Sequence, residues 1–361
     1  MAEEMKSQNR KHFLDILRVI ATGAVIMLHT VTGIKDTTDM NLYPMEFRVF
    51  LAIMDLVTWN VPVFIMISGY LFLNPAREFT FKQMVLKYCR RIVIALFLFG
   101  VPYACIELVM TGHGVSMGMI GKAILMVLTG KSWSHMWYLY LIFFLYLFTP
   151  AIRWILTHLP RAGVYFIMAI LVMGSSVFLY VNKYMDADIL PVLPDTCIYV
   201  FYYLFGYLVA QKAVERNGER RKDSEEEQRN DIGGWLLPLM ILLLAVGMVV
   251  NRMITNQQIQ MAYDYPFTVL FAVLIFVWAT NRQWKLSERT AKLWNWLSGL
   301  CFTIYLIHPV YVNIAYKFLN LTLLDYPLGI SIPLFWVIIS LFSLVSAWVL
   351  SKVPVLKKYV L

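Results

Sequence analysis

Apolar residues run for about twenty positions at a time along most of this chain, and the charges crowd into the gaps between runs. A helix needs roughly 20 such residues to cross a hydrocarbon core about 30 Å thick. Runs of that length predict ten transmembrane helices, near 13–34, 49–73, 92–111, 135–157, 162–181, 195–213, 233–251, 262–280, 293–316 and 328–351. The fold class is therefore all-α: a polytopic helix bundle, read as a single integral-membrane domain over 1–361. Residues 114–130 (GVSMGMIGKAILMVLTG) are apolar too, but Gly-rich and interrupted by Lys122. They predict a re-entrant or interfacial helix rather than an eleventh span. The stretch 214–231 mixes both signs of charge without an apolar period, which predicts a solvated cytoplasmic linker loop within the domain.

Composition closes off the alternatives. The chain is 60% hydrophobic and 15% charged, with a mean hydropathy of +0.65. Soluble domains are nearer 45–50% apolar and about 25% charged, and the 23 Phe, 21 Tyr and 11 Trp exclude disorder. The formal net charge of +9 would raise the question of nucleic acid in a soluble protein. Here the basic residues read as a topology signal. With the N-terminus in the cytoplasm, 23 of the 31 Lys and Arg fall in inside loops and tails and seven fall outside, so both termini are expected to be cytoplasmic. Cys89, Cys105, Cys197 and Cys301 are scattered through or beside apolar runs, with no spacing that suggests a disulfide or a metal site. The first apolar run is too long for a signal-peptide core and is read as a retained span. No inverted repeat of the secondary-transporter kind is visible.

Ionisable residues inside spans are costly and usually face a bundle interior or a watery cavity. The first helix carries two, Arg18 and His29. Eleven residues are about three helical turns, so both side chains lie on one face, roughly 16 Å apart along the axis. The third helix opens with KYCRRI, placing Lys87, Arg90 and Arg91 at the inner boundary. Beside Arg18 they would form a cationic pocket suited to phosphates. Toward the outer side lie Glu107, His135, Trp137 and His308, the last followed by Pro309. A cationic cluster at one end and imidazoles at the other suit a long polyphosphate-bearing co-substrate such as an acyl-CoA, with a histidine as general base toward a hydroxyl acceptor. The same buried charges would also serve a proton relay, so an exporter or transporter is the alternative.

At these residues the chain resembles the membrane-bound acyltransferase family 3. Arg18, ten intervening residues and His29 in LDILRVIATGAVIMLHT match that family's first-helix signature. VPVFIMISGYLF (61–72), HMWYLYLIFFLYLFTP (135–150), FYYLFGYLVAQ (201–211) and IYLIHP (304–309) are similar to its other helices. Within the family, the stand-alone O-acetyltransferases of surface glycans such as enterobacterial common antigen are the nearest in pattern. The resemblance implies a multi-pass protein of the bacterial inner membrane that moves an acyl group, most simply acetyl, from acetyl-CoA to a hydroxyl of a lipid-linked or surface polysaccharide. No permanently bound cofactor, metal or nucleic acid is implied; acyl-CoA enters as co-substrate, and the bilayer is the remaining partner. Arg18 and His29 carry over as catalytic residues, and Arg18 also joins Arg90 and Arg91 in binding the co-substrate. The family's Arg-x-x-Arg at the third helix is only partly matched. Lys87 stands where an arginine is expected, which keeps the charge and loses the bidentate fork. Glu107, His135, Trp137 and His308 are expected to orient His29 or to bind the acceptor.

Overall fold

The computed structural model describes residues 12–112, 116–184, 192–219, 233–254, 259–282 and 284–360. They are predominantly helical, with no strand among them. In a hydrocarbon solvent every backbone N–H and C=O must be paired within the chain, and long helices satisfy that demand locally. Helix α1 is His12–Gly33. Helices α2 (Pro44–Val57) and α3 (Asn60–Phe72) form one broken span. Helix α4 (Arg90–Met110) follows a π-helical stretch, Met84–Cys89. Next come α5 (Met117–Leu128), α6 (Trp137–His158), α7 (Arg161–Val172) and α8 (Phe178–Tyr184). The rest are α9 (Ile198–Glu219), α10 (Gly233–Ile254), α11 (Pro266–Asn281), α12 (Glu288–Asn313), α13 (Leu328–Leu350) and a short α14 (Pro354–Tyr359).

Among the described residues nine segments are long and apolar enough to cross a membrane, and the expected eighth span, near 262–280, is the shorter α11. Its 16 residues rise only about 24 Å, because the loop before it folds into the bundle. Met261 N–H donates to Asp55 Oδ1 at 2.6 Å, and the helix begins only at Pro266. The linker expected over 214–231 starts later than its charge pattern suggests, since α9 continues to Glu219. The remainder of that stretch to Asp231 lies outside the described residues.

We call the end of the bundle bearing His12 proximal and the end bearing Gly33 distal. Lys317 and Asp36 pair at 3.3 Å at the distal end. Arg153 donates to the carbonyls of Phe72 and Asn74, at 2.9 and 3.0 Å, at the proximal end. Helix α5 does not span: Val127 lies against Gly100 and Ala123 clusters with Ala104 and Leu108. It thus runs antiparallel to the distal half of α4, and it delivers the chain to Trp133 and His135 within the bundle, as a re-entrant helix would. Helix α3 crosses α9 backbone to backbone. A Cβ on Gly69 would overlap the carbonyl of Tyr203, and one on Gly206 would stand 2.6 Å from Tyr70 N. Glycine in the SGY and FGY stretches is thus a packing requirement, of the small-residue kind that lets membrane helices touch backbone to backbone.

Candidate active site

Three imidazoles converge in the distal half of the bundle. His29 on α1 stands 5.0 Å, centroid to centroid, from His308 on α12 and 6.5 Å from His135. His135 and His308 are 5.9 Å apart. His135 sits in a 3-10 turn, Ser134–Met136, that leads into α6. His135 and His308 are buried, whereas His29 is half-buried although it lies mid-bundle. His29 thus keeps part of its surface uncovered inside the bundle.

The surroundings hold each ring. His308 Nδ1 lies 3.1 Å from the carbonyl of Ile304. A carbonyl only accepts, so Nδ1 carries the proton and Nε2 presents its lone pair. Pro309 has no N–H to offer the carbonyl of Tyr305, which loosens the ladder beside the histidine. The Tyr305 hydroxyl donates to the carbonyl of His135, and Tyr103 donates to the carbonyl of Leu306 at 2.6 Å. Tyr103 stacks on Trp133, 4.2 Å apart and 6° from parallel, and its ring is 5.8 Å from His135. Nε2 of His135 and Nε2 of His308 are buried without a hydrogen-bond partner among the described residues. A buried polar atom left unpaired is costly, and such orphaned atoms in a folded protein call for a bound water or a functional role. No three His, Cys, Asp or Glu among the described residues are arranged to hold a metal ion.

At the proximal end Arg18 lies 3.6 Å from Asp15 and 3.5 Å from the Ser298 hydroxyl. Arg91 is half-buried, with its guanidinium 5.7 Å from the Phe302 ring and its Nε donating to the carbonyl of Val360. Both arginines interact electrostatically with Tyr146. Lys87 and Arg90 are exposed instead, over the rings of Tyr88 and Tyr359. Lys87 lies within the π-helical stretch Met84–Cys89, and Arg90 and Arg91 open the helix directly after it.

Between the two ends runs a line of phenols that was not singled out from the sequence. Tyr146 shares a hydrogen bond with Ser68 at 3.3 Å, and Tyr88 lies 6.4 Å from it. Tyr138, two turns distal on α6, is 5.6 Å from Tyr305, which is 6.1 Å from His308. Tyr138, Tyr146 and Tyr305 are half-buried in the centre of the bundle, as His29 is. The i, i+8 spacing of Tyr138 and Tyr146 was the available signal, since a phenol inside a membrane span needs a partner for its hydroxyl. Trp137 faces the distal rim. Glu107 lies one turn beyond Tyr103 on α4 and pairs with none of the three histidines. The expectation that it orients His29 thus has no contact behind it.

A groove of about 500 Å³, lined by Val19, Met27, Cys301 and Trp336 among others, is apolar and open. It touches none of the three histidines. The candidate site lies in the bundle centre: a histidine cluster and two inward arginines at opposite ends of a tyrosine-lined path.

No curated protein and no solved structure matches the chain. A family profile described as an acyltransferase domain matches residues 11–352, nearly the whole chain and every element of this site. An acyltransferase needs a base beside the acceptor hydroxyl and a hold on the donor, and the chain belongs to that acyltransferase family, family 3.

Proposed function

We propose that the protein transfers an acyl group, most simply acetyl, from cytoplasmic acyl-CoA to a hydroxyl of a lipid-linked or surface carbohydrate. The proximal end is then the cytoplasmic one, in a bacterial inner membrane with both termini inside. The observation that carries this reading is the polarity of the site: Arg18 and Arg91 at one end of a path, three imidazoles at the other, and the two ends joined along α1 by Arg18 and His29. That separation, about 16 Å along a helix, suits a donor whose phosphates stay at the mouth while its thioester reaches the histidines. Guanidinium groups bind phosphate oxygens with charge-assisted hydrogen bonds.

In this scheme His29 accepts the proton of the acceptor hydroxyl as the oxygen attacks the thioester carbonyl. The tetrahedral intermediate collapses, the C–S bond breaks, and the departing CoA thiolate takes the proton back from the imidazolium. The products are an O-acyl ester and free CoA, with the base regenerated. His29 is chosen over its neighbours because it keeps part of its surface uncovered, whereas His135 and His308 are buried and pack beside it.

The test is mass spectrometry of the host's surface glycans, with and without mild alkali. The strains are a deletion carrying either the wild-type protein or His29→Ala at matched expression. An alkali-labile acetyl-sized mass seen only with wild type is the expected result. Equal decoration in both strains would overturn the role of His29. Unmodified glycan present in reduced amount would instead favour an exporter.

A further inference from the structure

The distal rim carries a second constellation that the scheme above does not use. Trp137, the first residue of α6, stands 5.6 Å from Tyr199 on α9 and 5.7 Å from Tyr263 in the loop before α11. Tyr199 and Tyr263 are 6.5 Å apart. Trp137 is 37% exposed and both tyrosines are half-buried. Interfacial aromatics of a membrane protein ordinarily spread around its perimeter as a lipid-facing belt. These three converge on one another from three separate elements.

The loop under them is held stiffly. Asp55 accepts from Arg252 and from Met261 N–H. Asn251 and Arg252 donate to the carbonyl of Ile259 at 2.9 and 2.8 Å. Tyr202 donates to the carbonyl of Tyr263 at 2.7 Å. A wall whose backbone is fixed from several sides is preorganised for a ligand. Next to Tyr263 comes Asp264, half-buried, whose carboxyl is pushed up from the usual range by burial and by Asp195 nearby. It lies close enough to Tyr199 and Tyr202 to interact with both.

The site adjoins the histidines. Trp137 precedes Tyr138, which lies 5.6 Å from Tyr305, centroid to centroid, and Tyr263 is near enough to Tyr305 to interact with it electrostatically. A pyranose ring has one face of C–H bonds carrying partial positive charge, which packs on the negative face of an aromatic ring. Its rim of hydroxyls donates to carboxylate oxygens. An aromatic wall with a carboxylate at its edge offers both.

Resting on the acyl-transfer reading, we propose that Trp137, Tyr199 and Tyr263, with Asp264, form the acceptor subsite, stacking a neutral pyranose ring so that one hydroxyl reaches His29.

The test uses the full-length protein in lipid nanodiscs with acetyl-CoA. The probes are neutral oligosaccharides released by mild acid from the host's surface glycans, with octanol as a non-carbohydrate alcohol. Trp137→Ala is expected to raise KM for the oligosaccharides by about tenfold or more, the loss of a buried aromatic contact at a binding site. KM for acetyl-CoA should stay within about twofold, which also reports intact folding. Trp137→Phe, which keeps an aromatic face, should recover most of the loss, and Asp264→Asn should raise the oligosaccharide KM as well. Wild-type transfer to oligosaccharides with KM unchanged in Trp137→Ala and Tyr263→Ala would overturn the subsite and leave the acyl-transfer reading standing. Wild-type protein that acetylates octanol and no oligosaccharide would overturn the carbohydrate reading and the subsite with it.

Discussion

Asp55 and Arg252 offer a sharp quantitative test of the packing. The Asp55 side chain is fully buried and that of Arg252 is 17% exposed. The carboxylate also receives Met261 N–H, and the guanidinium also serves the carbonyl of Ile259. Removing one partner of a buried pair leaves the other charge uncompensated, at a cost of about 3–5 kcal/mol. Asp55→Ala and Arg252→Ala should each cost that much. The double variant buries no charge. It loses only partners for Met261 N–H and, in part, for Ile259 C=O, about 1–3 kcal/mol for an unsatisfied buried group. The double-mutant cycle should therefore return a coupling energy of at least about 3 kcal/mol, at the upper end for residues in one network. The assay is the unfolding free energy by SDS titration in mixed micelles for all four proteins. A double variant that costs the plain sum of the two singles would refute the reasoning, and so would an Asp55→Ala cost below about 1 kcal/mol, the scale of an exposed pair.

Gly206→Ala forces a Cβ to 2.6 Å from Tyr70 N and into the α3 backbone, so it should abolish folded yield in a size-exclusion assay. Gly299→Ala meets nothing within 4 Å and should be neutral or stabilise by up to about 1 kcal/mol, the helix-interior penalty of glycine. Arg91→Ala should raise KM for acetyl-CoA by about tenfold to a hundredfold, the value of a hydrogen bond to a charged group, with Arg91→Lys between; an unchanged KM would remove Arg91 from the donor site. Tyr305→Phe leaves the His135 carbonyl without its hydroxyl donor, and should lower kcat while KM for acetyl-CoA holds. The Asp264 carboxyl is raised by burial and Asp195, so its contribution to stability is complete below the ordinary carboxylate range and is lost as pH rises through the folded value. A thermal-midpoint profile should decline over that interval in wild type and flatten in Asp264→Asn.

Helix periodicity and hydropathy are local properties, and what rests on them was legible in the chain. The all-helical bundle, the non-spanning helix at Met117–Leu128, and the placing of Arg18 and His29 along one helix all follow from spacing alone. His135 and His308 were also visible, because an imidazole within or beside a membrane span stands out against apolar neighbours. What spacing could not say is which helices touch and at what rotation. That depends on contacts between residues far apart in sequence, such as Gly69 with Tyr203 and Tyr103 with Leu306. These crossings bring three histidines from α1, α12 and the turn before α6 within 6.5 Å of one another. The same tertiary constraints turn Arg91, rather than Arg90 or Lys87, into the bundle past a π-helical stretch. They also draw Asp55, Arg252 and Met261 into one buried knot, since a buried charge finds its partner across space and leaves no periodic trace along the chain.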